Sequence, residues 1–141
     1  MSITRFGLSL IAAFAFAAPG LAQAEIVHFT AHLDGAHEVP ANTSTGSGDA
    51  MVTLDTATKT ISYTATYIGL SGPATMGHIH GPALPGANAG VVVPFKDVSG
   101  PVSGTATLTD AQMGDLLAGK YYVNFHTAAH KGGEIRGQLT K

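Results

Sequence analysis

The chain has no cysteine and no tryptophan among its 141 residues. The missing thiol excludes a disulfide framework, a cysteine nucleophile and any metal site that depends on thiolate, including the blue-copper kind. Charge is sparse as well: 11% of residues are charged, with 7 basic against 9 acidic side chains and a formal net charge of −2. No basic run or stripe occurs, and phosphate recognition needs clustered positive charge, so a nucleic-acid partner is not expected. The Walker, G-x-S-x-G and Ser-His-Asp patterns of common hydrolases are missing too. Long apolar runs are lacking: the longest uncharged one, residues 6–18, falls short of the roughly 20 residues that cross a bilayer as a helix.

That short run has a different meaning. Residues 1–24 read MSITRFGLSLIAAFAFAAPGLAQA, with Arg5 before the apolar stretch, Pro19 and Gly20 after it, and Ala22-Gln23-Ala24 as an A-x-A cleavage site. This is the pattern of a secretory signal peptide. The expectation is an exported protein, periplasmic or extracellular, with no membrane span after cleavage and a single domain over 25–141. Losing Arg5 leaves five lysines and Arg136 as the only basic residues of that domain.

What is present is strand-like alternation. Val27, Phe29, Ala31 and Leu33 share one face of a first strand, with His28, Thr30 and His32 on the other. Ala50, Val52 and Leu54, then Ile61, Tyr63, Ala65 and Tyr67, mark two more strands joined by a turn at residues 55–58. Further strands are expected over 75–80, 91–93, 102–108, 121–127 and 134–139; the run Val91-Val92-Val93 reads as covered on both faces. Residues 81–90 are punctuated by Pro and Gly and form a loop. One short helix is expected near 110–118: Thr109 caps it, Gln112 completes a capping box, Leu108 and Met113 can staple it, and Gly119 stops it. The whole predicts an all-β protein, an antiparallel β-sandwich of Greek-key, immunoglobulin-like or superoxide dismutase-like form, with that one helix.

The chemistry lies in seven histidines. His78-Ile79-His80 sits on an expected strand, where residues two apart lie roughly 6.6 Å from each other and point the same way. Two imidazoles so placed can share one ion at about 2.0–2.1 Å. His126, on a later strand with Tyr122 and Asn124 on its face, completes a three-histidine site if the two strands are neighbours; His130, in a glycine-flanked turn, is a candidate fourth ligand. Imidazole suits copper(II) or zinc, and copper has the higher intrinsic affinity. Glu38, Asn124, Glu134 and Arg136 are candidate residues behind the ligands, orienting a histidine or, for Arg136, drawing a small anion to the ion. The plainer alternative is that these histidines only hydrogen-bond to the protein. His28, His32 and His37 cluster near the start of the domain; His28 and His32 share the polar face of a strand and are expected to be solvated, with a second, weaker metal patch as the alternative.

Five stretches in order, FTAHLDGAHEVP (29–40), GLSG (69–72), HIHGP (78–82), YVNFHT (122–127) and GEIRGQL (133–139), resemble the CHRD domain, named from chordin and found in many bacterial secreted proteins. The resemblance covers nearly all of the domain and implies an all-β fold. Glu38, His78, His80, Asn124, His126, Glu134 and Arg136 fall on its motif positions, whereas His130 and Lys131 stand where Asn and Pro are expected. The site, though not the whole chain, is also similar to that of copper/zinc superoxide dismutases. Three functions follow as expectations: an exported copper- or zinc-binding protein serving in metal binding or tolerance, a metal-free extracellular module that binds a protein partner, and a dismutase-like copper enzyme acting on a small oxygen species.

Overall fold

The computed structural model describes residues 23–141; the export signal expected over 1–24 lies almost wholly outside the described residues. Eight strands run in chain order: β1 (Ile26–Asp34), β2 (Ser47–Asp55), β3 (Thr60–Ile68), β4 (Ala74–His80), β5 (Val91–Pro94), β6 (Val102–Thr107), β7 (Tyr122–Thr127) and β8 (Ile135–Gln138). They form one antiparallel sheet in the order β5-β4-β7-β8-β1-β2-β3-β6. The protein is all-β with one short helix, α1 (Asp110–Leu117). No described helix is long and apolar enough to cross a membrane.

The sheet curls over itself. Tyr63 of β3 stacks on Phe95, and Tyr67 of β3 meets Phe125 of β7 in a tilted contact, although β3 and β7 stand far apart in the strand order. The two layers foreseen from the alternation are therefore two halves of one hydrogen-bonded sheet. Period-2 patterning explains how they meet. Val27, Phe29, Ala31 and Leu33 of β1 are buried together with Val52 and Leu54, Ile61, Ile79, Val123, Phe125 and Ile135. At roughly 25 cal/mol for each Å² of apolar surface withdrawn from water, this shared core is the main source of stability in a domain without disulfides.

Local signals set the ends of α1. Thr109 accepts from the Gln112 backbone N–H and the Gln112 side chain reaches back to the Thr109 backbone, the full capping box. Leu108 is buried and Met113 packs against the core, and Gly119 adopts a positive φ of 73° after the last turn. One expectation is corrected. β5 is the sheet's edge, paired only with β4, so Val91 is half exposed and only Val93 is buried. Three consecutive valines there do not mean that both faces are covered.

Candidate metal centre

Pairing of β4 with β7 makes the site. The register sets Met76 opposite His126, His78 opposite Asn124 and His80 opposite Tyr122. Directly opposed residues in an antiparallel pair point to the same face, so alternate residues of both strands form one polar face while Ile79, Val123 and Phe125 face the core. The 81–90 loop packs against the His80, Tyr122 and Arg136 side chains of this face; His80, Asn124 and His126 are buried, and His78 is half-buried. His78, His80 and His126 each offer a ring nitrogen, and these atoms lie within 4.8 Å of one another. The two strands carrying them are therefore neighbours, and the three imidazoles converge.

Two of the rings are held from behind. His80 Nδ1 lies 3.0 Å from the Ala89 carbonyl and His126 Nδ1 lies 2.9 Å from the Lys131 carbonyl. A carbonyl only accepts, so each Nδ1 carries the proton. That leaves His80 Nε2 as an unprotonated nitrogen, buried and with no partner. His126 Nε2 lies 3.2 Å from His78 Nδ1 and 3.1 Å from Asn124 Oδ1. Lone pairs gathered that closely repel unless a positive charge, a proton or a metal ion, lies among them. Tetrahedral ligands at about 2.05 Å from an ion stand about 3.3 Å apart, which the His78–His126 pair matches at 3.2 Å, while the three-ring set as a whole is held within 4.8 Å. Burial, followed by the neighbouring His126 and His80, pushes the His78 ring down to about 4. Burial also lowers His80, against the opposing pull of the Ala89 carbonyl and Asn124. Neutral rings are what metal ligation requires.

Tyr122 steadies the cluster. His80 stacks flat on its ring at 4.8 Å with 3° between the planes, and the Arg136 guanidinium carbon lies 3.5 Å from its centroid. The Tyr122 hydroxyl donates to the Ala89 carbonyl that also holds His80, and accepts from the Ala89 N–H.

The other candidates take different places. Glu38 is buried and accepts from Asn124 Nδ2 at 3.4 Å, so it stands one residue behind the ligands. Burial raises its carboxyl to about 7, against the opposing effects of Asn124, Arg136 and the Val39 N–H. Gly133 has a φ of 131°, and a side chain there would strike the Glu38 carboxylate. Arg136 is 1% exposed; its guanidinium donates to the Ala87 carbonyl at 2.7 Å and to Asn88 Oδ1 at 3.1 Å, so it straps the 81–90 loop down. Glu134 touches no histidine of the cluster and instead takes hydroxyls from Ser44, Ser71 and Thr127. His130 also stands outside the group of three: its backbone closes the β7–β8 turn, and the residue lines a neighbouring cavity with Glu38 and Lys131. His28, His32 and His37 lie exposed, bonded to Thr53, Asp49 and Asp34.

Strand parity puts Tyr122 on the face of His126 but assigns it no role, and Ser71 and the Ala89 and Lys131 carbonyls are not foreseen; the carbonyls carry no sequence signal, because any residue supplies one.

The family model described as CHRD domain matches residues 29–139, and the chain belongs to that family. No curated protein and no solved structure matches it.

Proposed function

We propose that this CHRD domain is an exported metal-binding protein that holds copper, or zinc in its place, through His78, His80 and His126, and serves in metal binding or tolerance. One observation carries the reading: three imidazole rings each bring a nitrogen within 4.8 Å of the others, and one of these rings, His80, has a buried Nε2 with no hydrogen-bond partner. A buried acceptor left unmade costs about 1–3 kcal/mol, and an ion removes that cost. The donor set is chemically apt, since imidazole suits copper(II) and zinc, and the Nδ1–H of His80 and that of His126 each donate to a backbone carbonyl, as the second ring nitrogen of a metal-bound histidine does. The apolar run and A-x-A site at the start of the chain support export.

A metal-free interaction module is the competing reading. It takes the 3.2 Å approach of His78 to His126 as a simple imidazole–imidazole hydrogen bond. Metal content of the exported protein, purified without chelator or histidine tag, separates the two. Copper or zinc near one ion per chain, lost in the His78→Ala/His80→Ala double variant, is the expected result. No ion in the wild type and none taken up on titration would overturn the metal reading.

A further inference from the structure

We infer that Met76 is a fourth, thioether ligand at this site and that it gives the site a preference for copper(I) over zinc. The inference rests on the metal-binding reading and goes beyond it by fixing the class of ion.

Three independent facts place Met76. It is two residues before His78, so it shares the polar face of β4 with His78 and His80. Gly77 confirms the parity, because a side chain there would run into Phe95 and Phe125 of the core, on the opposite face. Across the strand pair Met76 is directly opposite His126, a position where Cβ atoms lie about 4.5–5.5 Å apart. A methionine side chain, unbranched and with three rotatable bonds, spans such a gap easily.

Its surroundings show that packing is not its purpose. Met76 is 47% exposed and lies outside the hydrophobic core, while Met113 packs against that core. The strand breaks register between Ala74 and Met76, leaving Thr75 as the extra residue, and the Thr75 hydroxyl donates to the His126 carbonyl at 3.2 Å. A bulge of this kind re-aims the side chains beside it. Here it sets the start of β4 against His126.

The ion class follows from the donor. Zinc is satisfied by imidazole and carboxylate, whereas a thioether is soft and selects copper(I). Three imidazoles alone would serve either ion. Met51 gives an internal comparison: it is 52% exposed, but lies on β2, opposite Thr30 and Thr64, with no imidazole across from it.

The test compares wild type, Met76→Leu, Met51→Leu and His78→Ala/His80→Ala. Copper(I) affinity is read by competition with a chromophoric copper(I) chelator, zinc affinity by a zinc chelator, and sulfur ligation by X-ray absorption at the copper edge. Met76→Leu is expected to lose about tenfold or more in copper(I) affinity and the sulfur neighbour, with zinc affinity and fold unchanged. Met51→Leu should match wild type. Unchanged copper(I) affinity in Met76→Leu and no sulfur signal in the wild type would overturn the inference, even if both ions still required the histidine pair. If the double histidine variant binds zinc and copper as wild type does, the three-imidazole reading fails first and this one falls with it.

Discussion

Glu134 and His80 are both buried polar side chains, near opposite ends of the β4–β7 pair, and they are satisfied to different degrees. The Glu134 carboxylate accepts from the Ser44 hydroxyl at 2.6 Å, the Ser71 N–H at 2.7 Å, the Ser71 hydroxyl at 2.7 Å and the Thr127 hydroxyl at 2.5 Å. Each oxygen has two donors, and every donor is protein. His80 has one carbonyl on Nδ1 and nothing on Nε2. Consecutive residues of β7 serve the two centres: Thr127 the first and His126 the second. A buried group whose hydrogen bonds the protein itself completes holds the fold together; the open ring nitrogen of His80 is the one that the ion proposed above would complete.

The largest effect should come from the completed centre. Glu134→Ala leaves three hydroxyls and the Ser71 N–H without their carboxylate acceptor, while the Asn42 bonds to the Gly133 and Glu134 carbonyls and the Ser71–Thr127 hydroxyl bond remain; a loss of about 3 kcal/mol is expected in urea denaturation. Metal uptake by the folded fraction should be unaffected. Acid should reproduce this loss in the wild type. Burial alone would raise the Glu134 carboxyl, but the hydrogen bonds from Ser44, Thr127 and Ser71 prevail and hold it at about 2 against an ordinary 4.5. The unfolded chain then takes up a proton near pH 4.5 that the folded chain refuses until about pH 2. Stability from this group is complete above that window and lost as pH falls through it, on the order of 3 kcal/mol in all. A stability curve for Glu134→Ala that keeps the wild-type acid slope would show that the carboxylate is not what it reports.

The open centre should respond to its ion instead. Zinc at about a hundred times its Kd should stabilise the wild type by ~2.7 kcal/mol, and His80→Ala should abolish that gain. Without metal the same variant should lose only about 1 kcal/mol, for the ring stacked on Tyr122 and the bond to Ala89. Thermal unfolding of both proteins, each with zinc and with chelator, measures the four values. A zinc-induced gain that survives in His80→Ala would put the ion elsewhere.

The difference between the centres also decides what was legible in the sequence. His78, His80 and His126 were found because strand parity is local: residues two apart share a face wherever the strand goes. The alternation of Val27, Phe29, Ala31 and Leu33 and the Thr109–Gln112 capping box are local in the same sense, and both appear as expected. That β4 lies beside β7 is a matter of strand order, β5-β4-β7-β8-β1, which no local pattern specifies. The Glu134 centre draws its donors from Ser44, Ser71 and Thr127, segments far apart in the chain, and common hydroxyl residues give no sign of converging. Met76 was legible by the parity that picked out His78, but a methionine in a strand reads as core. Val91 was misread because burial of an apolar run depends on whether its strand is central or at an edge.

The smallest effect belongs to the residue that connects a buried carboxylate to the open cluster. Glu38 accepts from Asn124 Nδ2, and Asn124 Oδ1 faces His126 Nε2, so the carboxylate fixes which way the amide points its oxygen. Residues behind a metal ligand typically change affinity 10–100-fold when removed. Glu38 acts through two bonds of 3.4 and 3.1 Å, the first of them long, so Glu38→Ala should sit at the lower limit, about tenfold in copper or zinc affinity. Glu38→Gln keeps an acceptor for Asn124 and should stay within about threefold of wild type. The two variants separate orientation from charge, and pH supplies an independent reading. Burial raises the Glu38 carboxyl from 4.5 to about 7, so between those values the folded chain holds a proton that the unfolded chain has released. Its contribution is therefore present at low pH and is lost as pH rises through that window, the opposite slope to that of Glu134. Glu38→Gln, which cannot ionise, should remove the rising-pH loss while leaving metal affinity nearly intact. Should both variants bind metal as the wild type does, Asn124 is oriented by its β4 and β8 neighbours alone, and the boundary between the completed and the open centre falls at His126 itself.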